Sequence, residues 1–291
     1  MNKLRIKSFG WQHQYLDQIS RINIGFLEND AELVEDGEVD FIYSHDFSII
    51  EKAHQYKLKY PKSKYLQKVL DIPIHCFDFD KEKLKKKLKY ADLILSNSQH
   101  VQKEIKDILS FNSIVVYDCI KDLEYDSNIK KEIDFLAVGR LNDPEKRGFL
   151  IRDLCKIVKE KRTLVTCGPE KLGIGNELGI IDDSFLNSLY NASKFCLCLS
   201  RREGLYLPPL EALVCGCIPI ACNDMTTVNE TIPANFICEP NIKSIYNAIQ
   251  ELEKNYKLHQ NVALEYGGKY KYFFDKKTVA KRIIDAYFSI V

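Results

Sequence analysis

At 291 residues and 45% hydrophobic content, the chain has apolar material for more than one core, and its length sets two domains as the expectation. Its 42 basic and 41 acidic side chains leave a formal net charge of +1. That balance excludes a global field attracting nucleic acid or an anionic membrane, so any anion site must be local.

The amino terminus, MNKLRIKSFG, passes straight into a strand-like run without a signal-peptide core, and no apolar run reaches about 18 residues. A cytoplasmic location is the expectation. In chain order, strands are predicted at 4–9, 39–44, 64–70, 92–96 and 114–118, with helices near 12–20, 47–58, 81–89 and 99–109 between them. Ser98 is the expected cap of the last of these helices. A charged, irregular stretch follows at 119–131, and the alternation then restarts. Its strands are expected at 133–139, 163–168, 195–200 and 217–222, its helices near 148–160, 183–192, 208–215 and 241–255. The final segment, 278–291, has the spacing of an amphipathic helix. Such a restart predicts an α/β protein of two Rossmann-like parallel sheets joined by one linker. The lysine-rich run KEKLKKKLK at 81–89 reads as a solvated helix face, with a membrane-surface or anionic-acceptor patch as the sharper alternative. The ten cysteines lie singly or as C-x-C pairs, Cys196/Cys198 and Cys215/Cys217, inside apolar runs. They read as small buried hydrophobes in a reducing compartment, and no C-x2-C…C-x2-C spacing supports a zinc site.

The stretch EGLYLPPLEALVCG at 203–216 carries the most chemistry. Glu203 would sit in the loop leaving a strand's carboxyl end, and Glu211 in the first turn of a helix opened by Pro208-Pro209 and closed by Gly216. This is the sheet edge where open α/β folds bind ligands. Backbone N–H groups at the helix start suit phosphate oxygens, while the two acids suit paired hydroxyls of ribose and sugar. In AVGRLNDPEKRG, 137–148, Arg140 and Lys146 offer two cations to the same edge, where they could neutralise a diphosphate leaving group without a metal. Gly168-Pro169, in TCGPE, would allow close backbone approach to a nucleotide, and the segment around Ile181 could lend backbone contacts to a flat base.

With these pieces in place, the chain resembles a family. G-R…K-R-G at 139–148, C-G-P at 167–169 and E-G-x-x-L-P-P-x-E-A-L-x-x-G-x-P at 203–219 look like the carboxyl-terminal half of the retaining GT-B glycosyltransferases of the family-4, or group 1, type. E-x7-E is the most specific of these motifs. The likeness is good over 133–240 and weaker over 1–120, where it rests on strand order, DFIYSHD and ADLILSNSQHVQKEI.

The resemblance implies two Rossmann-like domains facing each other across a cleft. Residues 1–120 would form the acceptor domain, 121–131 a linker, 132–275 the nucleotide-sugar donor domain, and 276–291 a crossover helix returning to the first domain. It implies transfer of a hexose-type sugar from a UDP- or GDP-sugar to a glycan, lipid-linked or other hydroxyl acceptor, with retained configuration, no cofactor and no essential metal; the balanced charge adds the expectation of no nucleic-acid partner. Peripheral membrane contact is compatible with it. By the same likeness Arg140 and Lys146 would hold the diphosphate, Glu203 the sugar hydroxyls and Glu211 the ribose. Gly168, Pro169, Ile181, Gly204, Leu205, Tyr206 and Leu207 would line the donor. Gly10, Trp11, His45, Asp71 and His75 are acceptor-side candidates, with His45 and Asp71 joining Glu203, Lys146 and Arg140 in the catalytic set.

The chain departs from the pattern at Tyr206, where the family usually has glycine, and at Thr226-Thr227 ahead of Glu230, where it usually has Gly-Gly. Leu70 stands before Asp71 where a histidine is common, and the glycine-rich amino-terminal loop is reduced to Phe9-Gly10-Trp11. A non-catalytic nucleotide-sugar or glycan-binding protein on the same fold therefore stays open beside the enzyme. An epimerase or phosphorylase is less suited, since neither calls for this pairing of motif and length.

Overall fold

The computed structural model describes residues 3–10, 18–74, 79–158 and 162–291. They divide into two compact units, unit 1 over 1–119 with 273–291 and unit 2 over 120–272.

Unit 1 runs β1 (Arg5–Gly10), α1 (Gln18–Glu28), β2 (Glu32–Leu33), β3 (Phe41–His45), α2 (Ile50–Lys59), β4 (Lys64–Val69), α3 (Lys81–Leu88), β5 (Leu93–Ser96), α4 (Gln99–Glu104) and β6 (Ile114–Val115). All pairs are parallel in the order β2-β1-β3-β4-β5-β6. Both faces are covered, which is why every residue of β3 is buried and the strand reads as an unbroken run. Ser98 does cap α4, accepting from the Val101 amide at 3.1 Å. The lysine-rich α3 keeps only Leu84 and Leu88 buried and turns its charges outward.

Unit 2 runs β7 (Ile133–Val138), α5 (Gly148–Ile157), β8 (Leu164–Cys167), β9 (Asn176–Glu177), α6 (Asp183–Ala192), β10 (Ser193–Cys198), α7 (Leu207–Val214), β11 (Ile218–Cys222), α8 (Val228–Thr231), β12 (Ile237–Cys238), α9 (Ile242–Lys254) and α10 (Tyr256–Phe273). Its parallel order, β12-β11-β10-β7-β8-β9, is the 3-2-1-4-5-6 arrangement of a doubly wound sheet. The last helix, α11 (Lys276–Phe288), belongs to unit 1 and lies against α1. Ile283 and Ala280 enter the same core as Ile19, Ile22 and Phe26, and Tyr287 stacks on Phe41 at 4.9 Å between ring centroids. Gly25 makes the approach possible, since a Cβ there would stand 2.2 Å from the Lys276 carbonyl oxygen.

Several expectations are corrected. The first helix, described over Gln18–Glu28, reaches past its predicted end at residue 20, because its apolar stripe Ile19, Ile22, Phe26 continues; the predicted start, 12–17, lies outside the described residues. Of the four two-residue edge strands, β2, β9 and β12 have no counterpart among the predicted strands, while β6 falls within the predicted 114–118 and is shorter than expected. Helix α10 went unpredicted, because its only buried residues are Gln260, Ala263 and Gly267. Within unit 2 the stretch expected as a linker, 121–131, is bonded to α6 and to the end of α7: the Glu124 amide donates to Asn187 at 3.0 Å, the Asp126 amide to Asn191 at 2.8 Å, and Lys131 to the carbonyls of Tyr190 and Cys215 at 3.1 Å each.

Candidate active site

In unit 2 the first and fourth strands, β7 and β10, lie side by side with Phe135 opposite Phe195. From this pair the strand order runs in opposite directions, the switch point beyond whose carboxyl ends doubly wound sheets bind ligands. The loop after β7 carries Arg140 and Lys146, and the loop after β10 carries Glu203.

Lys146 ends a single 3-10 turn, Pro144–Lys146, capped by Asp143. Arg147 then takes a left-handed conformation at φ 53°, which reverses the chain into α5. The Lys146 ammonium reaches across to the Glu203 carboxylate, with both side chains mostly buried at 15% and 12% exposure. The same ammonium lies 4.9 Å from the centroid of the Tyr206 ring. Tyr206 is turned into the core at 4% exposure, and burial pushes its phenol well above the ordinary range. Arg140 is placed differently: it is 66% exposed and pairs with Asp143 of its own loop at 3.2 Å.

Glu211 is the fifth residue of α7, one position further in than expected, because the helix starts at Leu207 rather than at Pro208. It is 3% exposed and accepts a hydrogen bond from the Tyr190 hydroxyl at 3.1 Å. Burial, with the charge of Glu211 beside it, pushes the Tyr190 phenol far up. Pro208 and Pro209 carry no amide hydrogen, so the donors at this helix entrance are the amides of Gly204, Leu205, Tyr206 and Leu207.

Gly168 follows β8 at φ +152°. A Cβ there would stand 2.0 Å from the Gly139 carbonyl oxygen, so the turns after β7 and β8 touch only because the residue is glycine. Pro169 is exposed, and Ile181 is partly buried in the loop before α6.

The sequence-level candidates missed the bracing around Lys146 and Glu203. Arg147 forks onto Asp224 at 2.8 and 2.5 Å, which raises the guanidinium and lowers the carboxyl from their usual values. Arg201 forks onto Glu145 at 3.0 and 2.7 Å. The Thr226 hydroxyl accepts from the Glu203 amide at 2.9 Å and donates to the Glu203 carbonyl at 2.7 Å. Only the Thr-Thr departure in the sequence pointed to this turn.

In unit 1, Gly10 and His45 are register partners at the carboxyl ends of β1 and β3, the switch point of that sheet. His45 is 5% exposed, and its Nε2 lies 3.2 Å from Asp118 Oδ1. Asp118 also meets Lys68 at 3.1 Å and accepts from Asn97 at 3.2 Å, and Lys68 is wholly buried. Burial alone would raise the Asp118 carboxyl; Lys68 and His45 outweigh it and hold the group well below the usual carboxylate range. Asp46, next to His45, is held at φ 123° while its side chain accepts from the Ser48 amide at 2.6 Å. Asp71 is partly buried two residues past β4. Trp11 and His75 lie outside the described residues. The one available signal for this network was a lysine, Lys68, inside the apolar run KYLQKVL.

Among the described residues, no three His, Cys, Asp or Glu side chains are grouped to hold a metal. Nor is any described helix long and apolar enough to cross a membrane.

No curated protein matches the chain by sequence. Among solved structures, the Anabaena protein HepE in complex with UDP and glucose is similar with a TM-score of 0.80 at 15% identity, over 98% of this chain and 100% of that one. A sucrose-phosphate synthase from Thermosynechococcus elongatus gives 0.72 at 15% identity, over 87% of this chain and 74% of that one. An alpha-glucosyltransferase in complex with UDP and a DNA containing a HMU base gives 0.73 at 14% identity, over 99% and 100%. Likeness at such identities carries the fold, which is that of the GT-B glycosyltransferases. The family model for glycosyl transferases group 1 matches residues 121–266, just over half of the chain and the whole of the second sheet with its Lys146–Glu203 pair. The chain therefore belongs to the glycosyl transferases group 1 family.

Proposed function

We propose that this chain moves a hexose-type sugar from a nucleoside-diphosphate sugar to a hydroxyl acceptor, with retained anomeric configuration and without a metal ion or other cofactor. The observation that carries the reading is the contact of Lys146 with Glu203 across the switch point of a doubly wound sheet. One group suits an anion and the other suits hydroxyls, and they meet at the edge where such sheets bind nucleotides. Solved relatives of the same fold hold UDP with glucose, and UDP-glucose.

In the structure the two charges satisfy each other. When the donor binds, the Lys146 ammonium exchanges the carboxylate for a diphosphate oxygen, and Glu203 exchanges the ammonium for sugar hydroxyls. The amides of Gly204 to Leu207 and the exposed Arg140 add donors for the phosphates. Glu211, already bonded by Tyr190, has acceptor capacity left for a ribose hydroxyl.

As the bond from the sugar carbon to the phosphate oxygen breaks, negative charge grows beside Lys146, and the sugar gains oxocarbenium character. The acceptor oxygen bonds to that carbon on the face being vacated, and its proton passes to the departing phosphate oxygen. No protein nucleophile is needed. Unit 1, with His45 and Asp118, takes the acceptor: a glycan, a lipid-linked sugar or another hydroxyl compound.

Incubation with UDP- and GDP-sugars, following nucleotide release with and without a chelator and determining the anomer by NMR, tests each part. Release that survives chelation and yields the donor's own anomer is expected. Tight nucleotide-sugar binding with no release would support the binding-protein reading instead.

A further inference from the structure

We propose that the turn after β11, residues 223–227, is the positioning element of the donor site and acts on its two halves separately. Asp224 holds the phosphate side through Arg147, and Thr226 holds the sugar side through the Glu203 backbone. The proposal rests on the reading of Lys146 and Glu203 given above.

The turn is itself fixed. The Asn223 amide donates to the Cys238 carbonyl at 2.8 Å, the Met225 amide to the Cys222 carbonyl at 3.1 Å, and Met225 and Thr227 are buried at 2% and 0% exposure. From this base Asp224 points to Arg147, whose left-handed backbone immediately follows Lys146. A non-glycine residue at φ 53° is held there by its surroundings, and the two-pronged bond to Asp224 supplies the hold. Lys146 is thereby carried at a fixed point above β7.

Two positions on, Thr226 closes a two-way bond with Glu203, accepting from its amide and donating to its carbonyl. The peptides on both sides of Glu203 are pinned, so the carboxylate swings from a fixed Cα. The Thr226 amide also donates to the Arg201 carbonyl at 3.1 Å, and the Arg201 amide donates to the Glu145 carbonyl at 2.8 Å. The three loops after β7, β10 and β11 thus brace one another. A glycine at position 226 could not make the hydroxyl bonds.

Isothermal titration of the full chain with UDP and UDP-glucose, and with GDP and GDP-mannose, tests this on wild type, Thr226→Val, Thr226→Ser and Asp224→Asn. Thr226→Val should lower affinity for the nucleotide sugar by about tenfold while leaving the nucleotide within about twofold, in the range seen when groups that orient a ligating residue are removed. Thr226→Ser should restore the ratio. Asp224→Asn should weaken nucleotide and nucleotide sugar by the same factor. The ratio of two affinities is read on folded protein, so a general loss of stability does not imitate the effect; Thr226→Ala replaces the valine variant if that one fails to fold. Equal weakening of both ligands by Thr226→Val, or wild-type nucleotide affinity in Asp224→Asn, overturns the proposal. Failure of the wild type to bind any of the four ligands overturns the underlying site reading, a distinguishable result.

Discussion

The ammonium of Lys146 stands 4.9 Å from the centre of the Tyr206 ring while it grips Glu203. The tyrosine that replaces the family's usual glycine thus forms the floor under the cation, buried to 4% exposure.

Truncation of that floor should be costly. Tyr206→Gly removes a large buried ring and is expected to destabilise by about 3–5 kcal/mol, the range for deleting a core aromatic. The loss should exceed that of Lys146→Met, measured by denaturant unfolding. A Tyr206→Gly protein as stable as wild type would show the ring to be dispensable.

Lys146→Met and Glu203→Gln should each cut nucleotide-sugar turnover by about a hundredfold or more, as loss of a group facing developing charge does. Each should cost only about 1–3 kcal/mol in folding, the worth of one charge-assisted hydrogen bond and its orphaned partner. The double variant should lose less stability than the two losses added, because the second change no longer breaks a pair. Turnover and melting temperature falling in proportion would place these residues in the scaffold instead.

Asp118 makes the stability of unit 1 acid-sensitive. Its carboxyl titrates lower in the folded chain than in the unfolded one, so its contribution is complete above about pH 4 and is lost as pH falls toward the folded value. Asp118→Asn leaves Lys68 buried without its counter-ion and should cost about 3–5 kcal/mol at pH 7. Melting curves from pH 7 to pH 3 should show a smaller loss on acidification in that variant than in wild type. Parallel curves would contradict the assignment.

Gly168→Ala should destabilise more than Gly139→Ala. Both residues have positive φ, +152° and +132°, but a Cβ on Gly168 meets a backbone oxygen at 2.0 Å, whereas one on Gly139 meets nothing within 4 Å. Unfolding free energies should differ by more than about 1 kcal/mol, the usual scale of a strained glycine replacement with a clash added. The reverse ranking would mean the turns after β7 and β8 can separate.

Most of the fold was legible because parallel strands buried on both faces leave unbroken apolar runs, as FIYSH and IPIAC do. The two-residue edge strands β2, β9 and β12 were not, since a pair of residues has no period, whereas β6 opens the longer apolar run IVVYD. Helix α10 was missed because its buried positions are Gln260, Ala263 and Gly267 rather than an apolar stripe. In the site, Glu203 is marked in the sequence by the loop leaving a strand's carboxyl end, and Lys146 by its place just before a helix start. Arg140, marked by following the end of a strand, pairs within its own loop, because strand-end position does not fix the direction of a flexible side chain.

The sequence by itself determined two parallel sheets and the loops that carry the charges, because strand length, alternation with helices and turn residues are local properties of the chain. Only the tertiary structure decided which charges meet. Lys146 and Glu203 are 57 positions apart, Lys68 and Asp118 are 50 apart, and Arg147 and Asp224 are 77 apart. Each pair is brought together by crossovers that place distant strand ends side by side, and burial then selects the partners, since a charge removed from water must find its counter-charge within reach.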